Sequence, residues 1–260
     1  MPFLIEPKHL KYAARACMRR ASAAGADGQS WAAFRVGLGE RLGRLAEDLR
    51  SGAWRPSPVR ASHVVVYTGK RIETVIPTVA DRVVHRAMRR ALEPVLEATA
   101  FPDWVSGFRR RRNRMTALRQ AAGHLAQGRT WVADIDVRQA AAGACTEEVI
   151  DWLAAHVFDG TFLARVRTAL NGLPDPLAPG SGLSPLLLNL RLSRADAQLH
   201  HCRPVRFADN YCLFARSRGE AEDAWAAVCT ALATVGLHPH PDKSRIRTGA
   251  HAEDLFLING

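Results

Sequence analysis

The stretch VRFADNYCLF, residues 205–214, sets Asp209 and Asn210 between an apolar run and an aromatic-rich run. Its pattern predicts a β-hairpin with the acidic pair at its tip. Two readings stay open at this point. Asp and Asn tolerate left-handed backbone angles, so the pair suits an ordinary turn. Their oxygen atoms also suit a hard divalent cation.

Working outward, the nearest companion is TWVADIDV at 130–137, a short apolar strand carrying Asp134 and Asp136. Two carboxylate-bearing strands about seventy residues apart suit a site for paired metals. Such ions sit about 3.5–4 Å apart in phosphoryl-transfer enzymes. Mg²⁺ usually takes only one or two protein carboxylates and completes its shell with substrate phosphates and water. Strand ends often carry Asp for other reasons, so these residues alone leave both readings standing.

The rest of the chain is a mixture of helices and hairpins. Helical spacing is read over 7–23, 31–51, 79–99, 115–127, 146–157, 161–171, 183–200 and 218–235. Phe34, Leu38, Leu42, Leu45 and Leu49 line one face of the second of these. Ser184 and Pro185 mark the start of the seventh. HVVVYTGKRIETVIP at 63–77 reads as a hairpin around a TGK turn, and DLFLING at the end reads as a last strand. Antiparallel hairpins interspersed with helices, without regular βαβ units, disfavour a doubly wound sheet and point to an α+β fold.

Charge narrows the partner. Thirty-six Lys and Arg against 25 Asp and Glu give a net charge of +11, which calls for a polyanion, with nucleic acid ahead of an anionic membrane surface. Most of the cations are Arg, suited to bidentate phosphate contacts. The five cysteines lack CxxC spacing and read as reduced thiols, and LHHC at 199–202 lacks a second ligand pair. Neither a signal peptide nor a membrane-spanning run is evident, so a soluble cytoplasmic protein is expected.

Nine segments, in order, resemble a bacterial reverse transcriptase of the group II intron-like kind. They are GADGQSWAAF (25–34), LRSGAWRPSPVR (49–60), GKRIETVIPTVADRVVHRAMRRALEPVLE (69–97), SGFRRRRN (106–113), WVADIDV (131–137), APGSGLSPLLLNLRL (178–192), RFADN (206–210), GLHPHPDKSRI (236–246) and FLIN (256–259). The resemblance implies a right-hand polymerase architecture: a helical extension over 1–55, fingers with part of the palm over 56–130 and an antiparallel palm sheet backed by helices over 131–260. It implies RNA-directed DNA polymerase activity with nucleoside triphosphates, RNA or DNA as partners, and Mg²⁺ or Mn²⁺ as cofactor.

Position by position, it makes Asp136 and Asp209 metal ligands, with Asn210 beside them, and gives Asp134 a structural role. Lys243 matches the lysine that protonates the pyrophosphate leaving group. Lys70 and Arg71 would reach the incoming triphosphate, and Val137, Ala141, Gly180 and Ser181 would line the nucleotide. Arg82, Arg109, Arg110, Arg111, Arg112 and Arg114 would meet nucleic-acid phosphates.

The sequence departs from the family at several points. Ala140, Ala141 and Ala142 stand where the family has F-F-D. The second aromatic gates against a ribose 2′-hydroxyl, so Ala141 implies weaker discrimination against ribonucleotides. Asn210 replaces a second Asp, and Phe207 replaces Tyr. Read as complete, the chain also stops before a helical thumb, which a protein partner or a second copy would then supply. The leading expectation is a diverged polymerase, by analogy placed in antiphage defence or a CRISPR-linked complex. The alternative is a catalytically weakened nucleic-acid-binding subunit that pairs with an active polymerase.

Overall fold

The computed structural model describes residues 1–19, 23–65, 69 and 71–256. In chain order, the elements among them are α1 (Pro7–Met18), α2 (Trp31–Arg35), α3 (Leu38–Ser51), β1 (Arg60–Val65), β2 (Arg71–Ile76), α4 (Val79–Thr99), α5 (Arg114–Ala126), β3 (Trp131–Asp136), α6 (Thr146–Ala154), α7 (Gly160–Asn171), α8 (Ser184–Asp196), β4 (Pro204–Phe207), β5 (Asn210–Ala215), α9 (Arg218–Ala233) and β6 (Arg245–Thr248), with 3₁₀ turns at His200–Cys202 and Ala252–Asp254. The mixture of helices with antiparallel sheets is the α+β class expected.

These elements gather into two compact units, neither of them a continuous segment. One comprises residues 1–99 and 141–187, the other 100–140 and 188–260. The consecutive segments drawn on the sequence at 55/56 and 130/131 cut across both. Helix α8 begins in the first unit and ends in the second.

In the first unit, the single long helix expected over 31–51 is two. Ser30 caps α2 by accepting from the Ala33 amide at 3.2 Å. Val36 is then extended and Gly37 takes φ 66, a left-handed angle that ends one helix and admits the next. Helix α4 occupies the span expected. Thr78 starts it, its hydroxyl accepting from the Asp81 amide (3.3 Å) and donating to the Asp81 carboxylate (2.7 Å). Strands β1 and β2 pair antiparallel from Arg60–Ile76 to Val65–Arg71.

His85, on α4, is 1% exposed, and neither ring nitrogen has a hydrogen-bond partner among the described residues. Burial pushes its pKa down from 6.5 to about 4. Between those values the unfolded chain binds the proton and the folded one does not, so stability is complete above 6.5 and falls as pH drops toward 4. The full loss is roughly 3 kcal/mol. Urea unfolding at pH 7, 5.5 and 4.5 should show this slope, and His85→Leu should flatten it. An unchanged slope in the variant would assign the acid sensitivity to other groups.

The second unit is built on a four-stranded antiparallel sheet of order β4-β5-β3-β6. Ala133, Ile135, Val137, Tyr211 and Leu213 face α8 and α9 on one side. Val132, Val205, Cys212 and Phe214 face the other, where Ala117 and Ala121 of α5 pack. This period-two alternation separates the side chains of β3 cleanly. The last strand expected over DLFLING is corrected in part: the fourth strand is Arg245–Thr248, Ala252–Asp254 is a 3₁₀ turn, and residues 257–260 lie outside those described. Among the described residues, no helix is long and apolar enough to cross a membrane.

Candidate active site

Strand β3 ends at Asp136, and its register places Asp136 directly opposite Asn210 at the start of β5. Opposed residues in an antiparallel pair hold their Cβ atoms about 4.5–5.5 Å apart. The hairpin that delivers Asp209 turns one residue earlier than its Asp–Asn dipeptide suggests. Phe207 pairs with Asn210, so the loop is Ala208–Asp209 and Asn210 already belongs to a strand. Ala208 takes φ 57, a left-handed angle that costs a residue with a Cβ about 1–2 kcal/mol.

Several backbone bonds fix the two carboxylates. The Val137 amide donates to the Asp209 carbonyl at 3.1 Å, and the His240 amide donates to the Asp136 carbonyl at 2.7 Å. The Ser244 hydroxyl accepts from the Asp136 amide (3.1 Å) and donates to the Asp136 carbonyl (3.2 Å). The 238–244 turn is thereby anchored to the end of β3, and it carries Lys243. The Asp209 carboxyl is pushed up from its ordinary pKa by burial and by the negative charge of Asp136. The positive charges of Arg206 and Lys243 oppose that rise. The Asn210 side-chain amide donates to Asp209 Oδ1 at 3.4 Å. Asp134 lies on the same face of β3 as Asp136, but Arg247 pairs with it at 2.8 Å and the Cys212 thiol donates to it at 3.7 Å. Its carboxylate is engaged by the sheet.

The same hairpin rests on a buried polar network that the sequence reading missed. Arg206 is fully buried and forms an ion pair with Asp196 of α8, Nη2 to Oδ2 at 2.6 Å. Its Nη1 donates to Asn189 Oδ1 at 2.9 Å and to the Ala208 carbonyl at 2.7 Å. The Tyr211 hydroxyl donates to Asp196 at 2.8 Å. Asn189 Nδ2 donates to the Gly107 carbonyl at 2.7 Å, and a Cβ added at Gly107 would lie 2.0 Å from the Ala208 nitrogen. The signal in the sequence was polar residues on apolar elements, Asn189 and Asp196 in LLLNLRLSRAD and Arg206 in PVRF.

The remaining expected site residues are placed individually. Arg109, expected at nucleic-acid phosphates, is engaged within the protein. It is buried, and its Nη1 donates to the carbonyls of Pro102 (2.5 Å) and Val105 (2.9 Å), so the guanidinium stitches its own loop. Arg112 pairs with Asp103 at 2.6 Å, and Arg114 donates to the Glu253 carbonyl at 3.3 Å. Arg110 and Arg111 are exposed.

In the other unit, Arg71 is exposed on β2, while Lys70 lies outside the described residues. Arg82 donates to the Ala23 carbonyl at 3.0 Å and lies over the Trp31 ring. Gly180 takes φ 98, and a Cβ there would be 2.1 Å from the Val75 carbonyl oxygen. Its smallness is required by β2. Ser181 is buried and accepts from the Leu183 amide. Ala140 is buried in the sheet core and Ala141 is half-buried.

A family model described as reverse transcriptase (RNA-dependent DNA polymerase) matches residues 66–254, which include all the elements of the sheet. The chain belongs to the reverse transcriptase family. This reverse transcriptase-like chain is 30% identical over 217 residues to protein YkfC of Escherichia coli (strain K12), a match covering 76% of the chain and 56% of YkfC. It is 29% identical over 100 residues to the group II intron-encoded protein LtrA of Lactococcus lactis subsp. cremoris, covering 38% of the chain and 16% of LtrA. The chain thus spans about half the length of YkfC and a smaller part of LtrA. Family membership accords with the α+β, palm-like character of the antiparallel sheet.

Among the described residues, no three His, Cys, Asp or Glu side chains gather where one cation could sit. The donor set at the hairpin is therefore two carboxylates with an amide oxygen beside them. That set fits Mg²⁺, which binds through one or two carboxylates when phosphates complete the shell.

Proposed function

We propose that this protein is a metal-dependent nucleotidyl transferase that extends a nucleic-acid primer on an RNA template. The observation carrying the proposal is the pairing of Asp136 with Asn210, which brings the carboxylate at the end of β3 beside the Asp209 turn. Asp136 and Asp209 would hold Mg²⁺ or Mn²⁺, which when bound activates the primer 3′-hydroxyl and neutralises charge developing on the triphosphate. Lys243 Nζ protonates the departing pyrophosphate. Arg71, with Lys70, offsets the triphosphate charge, and Arg110 and Arg111 meet template phosphates without reading sequence. The setting in antiphage defence or a CRISPR-linked complex rests on analogy with compact bacterial relatives.

Primer extension on an RNA template, with Mg²⁺ and Mn²⁺ and with dNTPs and rNTPs in separate reactions, tests the proposal, Asp209→Ala serving as the control. Extension that disappears in the variant supports it. A further expectation concerns the sugar. With Ala141 in place of a gating aromatic, rNTP and dNTP incorporation should be comparable, and Ala141→Phe should favour dNTPs by at least about tenfold, the scale on which a pocket rejects one small group. Unchanged sugar preference in Ala141→Phe would remove that residue from the nucleotide site.

The contact between Asn210 and Asp209 favours a second reading. An amide in place of a carboxylate lowers the negative charge available to a cation and occupies one Asp209 oxygen. Under that reading the protein is a nucleic-acid-binding subunit, and RNA binding survives while metal-dependent dNTP binding is absent.

A further inference from the structure

Three separated segments converge on the Arg206 guanidinium. The 100–113 loop reaches it through Gly107 and Asn189, α8 supplies Asn189 and Asp196, and the hairpin supplies the Ala208 carbonyl. The backbone of Arg206 is held as well, its amide donating to the Trp104 carbonyl (3.0 Å) and its carbonyl accepting from the Ser106 amide (2.8 Å). A buried ion pair is a poor way to gain stability, because apolar residues of similar size often do as well or better. A planar fork with several fixed donors is, in contrast, a good way to hold geometry. Here one of those donors grips the carbonyl of the single left-handed residue in the turn, one position before the Asp209 carboxylate.

We propose that Arg206, clamped by Asp196 and Asn189, is a positioning residue that holds the Ala208–Asp209 turn in its left-handed geometry and so aims the Asp209 carboxylate at its cation. The inference rests on the reading of Asp209 as a metal ligand. Arg206 touches no reacting atom. It acts through the Ala208 carbonyl, and Gly107 contributes by leaving room for the Ala208 amide. Lysine in its place keeps the charge opposite Asp196 but cannot also reach Asn189 and Ala208.

The Val137 amide donates to the Asp209 carbonyl, so its hydrogen exchange reports the position of the turn without any metal. Exchange at Val137 and at the amides of α9 would be measured in Arg206→Lys and Asn189→Ser, together with Mn²⁺ affinity by electron paramagnetic resonance and kcat and KM for primer extension. The expected result is Val137 exchange at least tenfold faster in Arg206→Lys with α9 amides unchanged. Mn²⁺ affinity and kcat should fall about 10–100-fold, the scale found for residues that orient metal ligands, while KM for the nucleotide holds. Asn189→Ser should show the same pattern more weakly, and it decides the matter if Arg206→Lys does not fold. Wild-type exchange at Val137 and wild-type Mn²⁺ affinity in the folded variants would overturn the proposal, as would equal acceleration at Val137 and α9. A wild-type protein that binds no Mn²⁺, or an Asp209→Ala variant that binds it equally, would instead overturn the functional reading, with Val137 exchange still deciding whether Arg206 holds the turn.

Discussion

Replacing Asp209 or Asp136 by Asn should abolish nucleotidyl transfer while leaving the fold intact. The loss should be at least about 10³-fold, since a single preorganised group facing transition-state charge already accounts for about 10²–10³ in rate. Both carboxylates are half-buried, Asp136 at the end of β3 and Asp209 in the hairpin loop, and neither forms an ion pair with a described residue that its removal would strand. Asp209 is destabilised by burial and by the Asp136 charge, so neutralising it relieves repulsion. Thermal stability should therefore hold or rise slightly as activity disappears. Melting curves and single-turnover extension on the same preparations make the check. A variant that lost stability and activity in parallel would point to a structural role for the pair.

The second large effect is one of stability. Asp196→Ala should destabilise the protein by about 3–5 kcal/mol, because it leaves the Arg206 guanidinium buried without its counter-charge. The Tyr211 hydroxyl would lose its acceptor at the same time. Replacing both partners, Asp196→Leu with Arg206→Met, removes the unpaired charge and should recover most of that stability. Guanidinium unfolding of the two variants checks the order. If the double variant were as unstable as the single one, the cost would lie in packing and not in the charge.

Much of this could be read in the sequence where residue chemistry acts locally. Helix α4 and strand β3 lie where apolar periodicity puts them, because each buries one continuous stripe or face. The break at Gly37 was hidden by Phe34, Leu38 and Leu42, whose spacing runs straight through it, and a left-handed glycine leaves no mark on hydrophobic periodicity. The hairpin was evident, but its loop was set one residue late. Asp–Asn is the stronger turn dipeptide, whereas the actual loop begins at Ala208, a residue with no turn preference held there by contacts distant in sequence. Arg109 and Arg206 went unrecognised as interior residues for one reason. An arginine reads as a surface cation unless its acceptors are known, and here these are backbone carbonyls, Asn189 and Asp196. The candidate carboxylates could be located, while the apparatus around them could not, because it is assembled from segments up to about a hundred residues apart.

The path of the chain has a consequence for how the protein is made. Each unit is completed only when a later stretch of polypeptide returns to it: the first needs residues 141–187, and the second needs residues from 188 onward. On the ribosome, the amino-terminal helices must wait unfinished while the first strand of the palm-like sheet emerges, and that strand in turn waits for β5 and β6. Long-range pairing of this kind slows folding and leaves strand edges exposed in the interval. Neither unit can be obtained by cutting the gene at one point, so activity should be rescued from split halves only when the two pieces are synthesised together.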